Sequence, residues 1–175
     1  MTEHLDPPPF HKGATPPGVV LPSLPYPGGR DLATVLVVDD NPASIELARI
    51  MLMQKAHLQC NLECAAGGDE ALAIMRALAN SGAQVDLVLL DINMPRLDGF
   101  EVLAQLASDA GIPKAAVVMC TTSSERNDIE RAFALGASGY VEKPPRLEKL
   151  RPLLVAAEGL ALEENDLGAF LLRAA

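Results

Sequence analysis

The sequence is short of basic residues, with 14 Lys and Arg against 23 Asp and Glu and a formal net charge of −9. No cluster of Lys or Arg runs against this average. A chain with this balance repels the phosphates of nucleic acids and the headgroups of anionic lipids. Direct binding to nucleic acid is therefore not expected.

Long apolar runs and metal-binding patterns of cysteine and histidine are also missing. No stretch approaches the roughly 20 apolar residues that span a bilayer, and residues 1–9 are acidic and proline-rich, unlike a secretion signal. The cysteines, Cys60, Cys64 and Cys120, are an odd number at spacings that do not fit a zinc site. We interpret them as structural thiols and predict a cytoplasmic protein without a membrane segment.

Length and proline content divide the chain into three parts. Residues 1–30 hold eight of the fourteen prolines, which predicts an unstructured tail. Residues 31–157 carry the pattern of one folded domain. Residues 158–175 form an apolar extension, which predicts either a homodimer contact made together with the last helix or packing on the same domain.

Five apolar runs of strand length alternate with helical patterns. The runs are residues 34–39, 58–66, 85–90, 115–120 and 138–141. The alternation predicts an α/β fold with a mostly parallel sheet and right-handed crossovers. The last helical pattern contains Pro152, so we expect that helix to begin near Arg151 or to kink there.

Acidic residues end two of these runs. Asp39 and Asp40 close the first run, and Asp91 follows the third. Because ligands bind at the carboxyl ends of the strands in open α/β sheets, we expect the three carboxylates to meet at that edge. Such a cluster repels itself unless a cation is present, so the sequence predicts a cation site.

Together with residues further along, this pattern resembles the receiver domain of bacterial two-component response regulators. The resemblance covers roughly residues 34–154 and rests on Asp39 and Asp40, Asp91 within residues 91–99, Thr121, and residues 136–144 with Tyr140 and Lys143. It implies a flavodoxin-like, doubly wound, five-stranded parallel sheet with strand order 2-1-3-4-5, flanked by five helices.

The resemblance also implies roles for single residues. Asp91 would accept a phosphoryl group from the histidine of a sensor kinase. Asp39, Asp40 and Asp91, with the backbone carbonyl of Asn93, would hold Mg²⁺, which prefers oxygen ligands. Lys143 would pair with the phosphoryl group.

A conformational switch is implied as well. Thr121 would turn its hydroxyl toward a phosphoryl oxygen, and Tyr140 would rotate inward to fill the space that Thr121 leaves. The Lys143–Pro144 peptide would be cis. The protein would then be a stand-alone phosphorelay regulator and not a turnover enzyme.

Two other function classes remain beside this one. A phosphorylation-independent interaction module would keep the fold without the chemistry. An aspartate-nucleophile phosphatase is disfavoured, because Asn93 stands where such enzymes usually carry a second Asp as general acid.

A narrower resemblance concerns the segment that starts at Thr121. Residues 121–124 with residues 127–129, residues 40–42 and the loop 79–84 resemble single-domain regulators paired with phytochrome-type histidine kinases. This implies a bacteriophytochrome as the kinase partner. Thr122 departs from the small residue that receivers commonly carry after the switch threonine.

Overall fold

The computed structural model describes residues 32–175. Its strands are β1 (Thr34–Val38), β2 (Leu58–Gln59), β3 (Asn61–Ala65), β4 (Leu87–Leu90), β5 (Ala116–Thr121), β6 (Gly139–Glu142), β7 (Leu160–Glu164) and β8 (Phe170–Ala174). Its α-helices are α1 (Pro42–Arg49), α2 (Gly68–Asn80), α3 (Gly99–Ser108), α4 (Arg126–Ala134) and α5 (Leu147–Ala156). None of these helices is long and apolar enough to cross a membrane.

The main sheet has five strands in the order β3-β1-β4-β5-β6, and all of its pairings are parallel. Counted along the chain within this sheet, the order is 2-1-3-4-5. The flavodoxin-like fold with five flanking helices is confirmed.

Two apolar layers cover the two faces of this sheet because successive strand residues point to opposite sides. Leu36 and Val38 of β1 belong to the layer that contains buried residues of α2, α3 and α4. Val35 and Val37 belong to the layer that contains buried residues of α1 and α5. The strands are buried on both faces, which explains their continuous apolar runs.

Helix α1 begins as the sequence predicts. Pro42 occupies its first turn, and the Asn41 side chain accepts a hydrogen bond from the backbone N–H of Ala43 at 2.9 Å. After Arg49 the chain continues in π-helical turns over Ile50–Lys55, a departure that the helical spacing did not indicate. Leu52 in these turns is fully buried, so the wider turns keep an apolar side chain on the sheet.

The single strand predicted over residues 58–66 is wrong in one respect, because the structure divides it. Leu58–Gln59 pairs with β8, whereas Asn61–Ala65 pairs with β1 in the main sheet. Cys60 lies buried between the two parts. One apolar run therefore contributes a strand to each of two sheets.

Residues 158–175 form an antiparallel hairpin of β7 and β8 that packs on the same chain. With β2 it makes a three-stranded sheet in the order β2-β8-β7, and Leu32 bridges to Arg173 of β8. Leu160, Leu171 and Leu172 are buried. Packing on the same domain is thus what the structure shows, and dimerisation through this segment stays a prediction. The predicted tail of residues 1–30 lies outside the described residues.

Helix α5 begins at Leu147, so the alternative of a start near Arg151 is wrong, and the alternative of a kink there stays a prediction. Pro152 lies inside the helix and is exposed, whereas Leu147, Leu150 and Leu154 are buried against the sheet. Burying each leucine contributes about 1.5–3 kcal/mol, and an interior proline costs about 3 kcal/mol. The buried face therefore outweighs the proline.

Candidate functional site

The sequence-predicted site residues meet at the carboxyl edge of the main sheet. Asp39 follows β1 and Asp91 follows β4, and these strands are neighbours in register, with the Asp91 N–H donating to the Val38 carbonyl at 3.0 Å. Thr121 is the last residue of β5 and is fully buried. Lys143 follows β6, and its N–H donates to the Thr121 carbonyl at 3.0 Å.

Three carboxylates form a cluster at this edge. One oxygen of each of Asp39, Asp40 and Asp91 lies within 4.8 Å of the others. Asp39 and Asp91 are buried, and Asp40 is exposed. Oδ1 of Asp39 accepts the N–H of Asn41, and Oδ1 of Asp91 accepts the N–H of Ile92, each at 2.9 Å. The predicted acidic cluster is therefore present, with two of its members held by the backbone.

Lys143 supplies the positive charge of the site. Its Nζ contacts Oδ2 of Asp39 and lies 3.0 Å from Oδ2 of Asp91. Its side chain is only 17% exposed, so little water separates these charges. The peptide between Lys143 and Pro144 is cis, as the resemblance implied.

The environment shifts the pKa values of these groups. Burial raises the pKa of the Asp91 carboxyl above its ordinary value, although the hydrogen bond and charge of Lys143 act in the opposite direction. Burial alone would lower the pKa of Lys143, but its hydrogen bonds to Asp39 and Asp91 raise it overall. Lys143 is consequently a permanent ammonium at neutral pH.

The donor set fits a hard divalent cation. All three side chains offer carboxylate oxygens, the ligand type that Mg²⁺ takes in proteins. Three carboxylates against one ammonium leave two uncompensated negative charges, which a divalent ion would balance. Asn93, whose carbonyl was the fourth predicted ligand, lies exposed two residues after Asp91.

The predicted switch residues are linked through Ser123. The hydroxyl oxygen of Thr121 accepts the N–H of Ser123 at 3.2 Å, and the hydroxyl of Tyr140 donates to the Ser123 carbonyl at 2.7 Å. Tyr140 is half-buried, and burial raises the pKa of its phenol. Sequence reasoning used Ser123 only as part of a family motif and missed its position between the two switch residues.

Gly99 is a second residue whose importance sequence reasoning missed. The first turn of α3 approaches the loop after β4 so closely that a Cβ at position 99 would lie 2.2 Å from the Asp91 carbonyl oxygen. The Gly99 N–H donates to the Ile92 carbonyl at 2.8 Å. Asp98 and Glu101 form a capping box that fixes this end of the helix. The signal in the sequence was a glycine directly after a capping aspartate.

The rim of the site is an open, polar depression. Its lining consists of Asn93, Thr122, Ser123, Ser124, Glu125 and Asp128. The two charged residues in this lining are both acidic. Thr122, which departs from the usual small residue, is exposed at this rim.

Comparison with known proteins gives one consistent picture. Residues 35–154 match the family model of the response regulator receiver domain. The two-component response regulator ORR24 of Oryza sativa subsp. indica is 32% identical over 130 residues, which are 72% of this chain and 19% of the rice protein. The positive alginate biosynthesis regulatory protein of Pseudomonas aeruginosa is 37% identical over 123 residues, which are 70% of this chain and 46% of that protein. The chain thus spans less than half of either curated relative.

Solved structures of similar size also match. The bacteriophytochrome response regulator AtBRR is 31% identical with a TM-score of 0.62, covering 71% of this chain and 91% of that one. The chemotaxis protein CheY4 of Vibrio cholerae is 29% identical with a TM-score of 0.58, covering 71% of this chain and 98% of that one.

Proposed function

The chain belongs to the response regulator receiver domain family, and from that membership we propose that it is a signalling switch in which Asp91 accepts a phosphoryl group from the histidine of a sensor kinase. The observation that carries the proposal is the pairing of the buried Asp91 carboxylate with Lys143, 3.0 Å away, beside two further carboxylates. In this reaction an Asp91 oxygen bonds to phosphorus while the phosphorus–nitrogen bond of the donor breaks, and the nitrogen keeps the electron pair.

Each site residue has a part in this proposal. Oδ1 of Asp91 is held by the Ile92 N–H, which leaves Oδ2, now facing Lys143, as the attacking oxygen. Lys143 binds the incoming phosphoryl oxygens and offsets their charge. Asp39, Asp40 and Asp91, with the Asn93 carbonyl, would hold Mg²⁺. The bound ion would neutralise the repulsion between carboxylate and phosphoryl oxygens.

The response to phosphorylation is assigned to Thr121 and Tyr140. A phosphoryl group adds roughly −1.5 to −2 charge and three acceptor oxygens. The Thr121 hydroxyl lies at the end of β5 on the same edge as Asp91, where it can donate to such an oxygen. Tyr140 shares Ser123 with Thr121, so a movement of one residue reaches the other.

The proposal extends to the partner and the cellular setting. We propose that the phosphoryl donor is a sensor histidine kinase of the phytochrome type, because AtBRR is described as a bacteriophytochrome response regulator and the Thr121 segment carries the related motif. The protein acts in the cytoplasm as a signalling switch and not as a turnover enzyme. Phosphotransfer to Asp91 from an autophosphorylated phytochrome kinase should be faster than from an unrelated sensor kinase.

The decisive experiment is the intact mass of the protein after incubation with acetyl phosphate or phosphoramidate, with and without Mg²⁺. The wild type should gain the mass of one phosphoryl group only with Mg²⁺, and Asp91→Asn should gain none. Asp166→Asn, the same substitution at an exposed position in the β7–β8 turn, should behave as the wild type. No gain with either donor or with a kinase would favour the phosphorylation-independent interaction module.

A further inference from the structure

The loop between β5 and α4 is held through Ser123, whose backbone and side chain both bond to neighbours. Its N–H donates to Thr121 Oγ1 at 3.2 Å, and its carbonyl accepts from the Tyr140 hydroxyl at 2.7 Å. Its hydroxyl donates to Oδ2 of Asp128 at 2.7 Å and accepts from the N–H of Glu125 at 3.3 Å. Both switch residues and the start of α4 therefore meet at one serine.

Asp128 anchors this serine from the first turn of α4. The residue before the helix, Glu125, makes no side-chain capping bond, so the bond from Ser123 to Asp128 is a direct side-chain link between loop and helix. Asp128 is half-buried, and a negative charge is favourable at a helix N-terminus. A hydrogen bond to a carboxylate is roughly twice as strong as one between neutral groups. The anchor is therefore firm compared with the rest of the loop.

The bonding pattern makes this anchor relevant to the switch. A threonine hydroxyl can accept one hydrogen bond while it donates another. Thr121 can thus keep the N–H of Ser123 while its own hydrogen turns to a phosphoryl oxygen, and Ser123 is then drawn along. The hydrogen bond to Asp128 restrains Ser123 during this movement. It therefore affects the position of the Ser123 carbonyl, which accepts the hydrogen bond of Tyr140.

We propose that Asp128 is a positioning residue of the switch, acting through Ser123 on both Thr121 and Tyr140. Among residues 32–175, Asp128 forms no hydrogen bond or ion pair with Asp91 or Lys143, so we expect it to act on the response and not on the chemistry. The inference rests on the proposed function, in which Thr121 and Tyr140 respond to the phosphoryl group at Asp91.

The chain offers a clean reporter for this proposal. It has no tryptophan and two tyrosines, Tyr26 and Tyr140. In the full chain with Tyr26→Phe and 3-fluorotyrosine incorporated, the ¹⁹F spectrum reports Tyr140 alone. The spectrum is recorded at rest and with acetyl phosphate and Mg²⁺, and the intact mass of the same samples measures phosphoryl incorporation.

Asp128→Ala should move the resting Tyr140 resonance toward its position in the urea-unfolded protein and remove at least half of the phosphorylation-induced shift. Asp128→Asn, which keeps an acceptor for Ser123, should restore most of both signals. The matched control is Glu130→Ala, which truncates another acidic residue of the same helix, one that pairs with Arg126. The phosphorylation-induced shifts of Asp128→Ala and Glu130→Ala are compared at equal phosphoryl incorporation, which the intact mass of each sample measures.

A Tyr140 resonance in Asp128→Ala that matches Glu130→Ala, at rest and after phosphorylation, would overturn the proposal. If Asp128→Ala fails to fold, Ser123→Ala removes the same hydrogen bond by deleting its donor. An unchanged Tyr140 resonance in Ser123→Ala would likewise overturn the proposal. Absence of a mass gain in the wild type with acetyl phosphate, with phosphoramidate and with a sensor kinase would instead refute the proposed function, while the resting resonance would still decide whether Asp128 positions Tyr140.

Discussion

Among the single residues, the ammonium group of Lys143 pairs with two buried carboxylates. Nζ of Lys143 contacts both Asp39 and Asp91, which are also the predicted cation ligands. A divalent ion entering the cluster must therefore compete with Lys143 for the Asp39 oxygens. Two unit charges about 4 Å apart near a protein surface interact by roughly 4 kcal/mol, so this competition is large enough to measure.

Replacing Lys143 by Met should raise the affinity for Mg²⁺ because it removes the competing cation. We expect an increase on the order of tenfold or more, the fold-change of a 1.4 kcal/mol gain. The same variant should accept the phosphoryl group more slowly. Isothermal titration calorimetry with Mg²⁺ measures the affinity, and Lys143→Arg is the charge-preserving control. Equal Mg²⁺ affinity in Lys143→Met and Lys143→Arg would show that the ammonium does not compete.

The buried thiols give a prediction on pH. Burial raises the pKa values of Cys60 and Cys120 to about 12, from an ordinary value of 9.0. Below pH 9 both thiols are protonated in the folded and unfolded states. Between pH 9 and 12 the unfolded chain releases these protons and the folded chain keeps them, so the free energy of unfolding should fall as pH rises, by up to about 1.4 kcal/mol per pH unit and thiol.

Reaction with Ellman's reagent at pH 8 tests the same burial. In the native protein, Cys60 and Cys120 should stay unlabelled, and at most the half-buried Cys64 should react. Protein unfolded in urea should react at all three thiols. Rapid labelling of Cys120 in the native state would show that the end of β5 opens to solvent.

Single residues of the site were predictable where each ends a strand. Asp39, Asp91, Thr121 and Lys143 lie at the same edge because parallel strands end together. Ser123 was not predictable as a link, because its role depends on three neighbours brought together from β5, β6 and α4. Contacts of this kind arise from loop geometry, which has no periodic signal in the sequence.

At the element scale, the first turn of α3 is pressed against the loop that carries Asp91. Replacing Gly99 by Ala would place a Cβ 2.2 Å from the Asp91 carbonyl oxygen and 2.8 Å from Cα of Ile92, both in the backbone. We expect a loss of about 1–3 kcal/mol in the free energy of unfolding and slower phosphorylation. Urea denaturation and the mass assay measure the two effects.

The matched control for this prediction is Gly67→Ala before α2. A Cβ there would lie 3.7 Å from the nearest atom, an Arg96 guanidinium nitrogen, which is an ordinary contact. Its stability should stay close to the wild type. If Gly99→Ala were as stable and as readily phosphorylated as Gly67→Ala, the prediction would be wrong. The close approach of α3 to the Asp91 loop would then matter neither for stability nor for phosphorylation.

The elements that sequence patterns predicted are those with one buried face and a clear end signal. Asn41 with Pro42 marked the start of α1, and the apolar runs marked the main strands. The start of α5 was misplaced because Pro152 suggested a break that the buried leucines override. The division of residues 58–66 was missed because both parts are equally apolar, and only the partner β8 separates them.

At the scale of the whole molecule, the β7–β8 hairpin is part of the same folded unit as the receiver domain. Leu172 of β8 is fully buried in the layer that includes residues of α1 and α5. Replacing Leu172 by Ala should lower the free energy of unfolding by about 2–5 kcal/mol. Leu167→Ala, in the turn of the same hairpin where Leu167 is 92% exposed, should change it little.

Urea denaturation of both variants measures this difference, and light scattering of the same samples measures the oligomeric mass. A loss of stability in Leu172→Ala with no change in mass is the result expected from packing within one chain. A change in mass that accompanies Leu167→Ala instead would place the hairpin in a contact between two copies.

The assignment of Asp91 as the phosphoryl acceptor is tested most directly by locating the modified residue. Borohydride reduces an acyl phosphate to an alcohol, so an Asp that carried the phosphoryl group becomes homoserine, which peptide mass spectrometry identifies. After treatment with acetyl phosphate and Mg²⁺, homoserine should appear at position 91. Homoserine at position 39 or 40, or at no position in a sample whose intact mass shows a phosphoryl gain, would contradict the assignment.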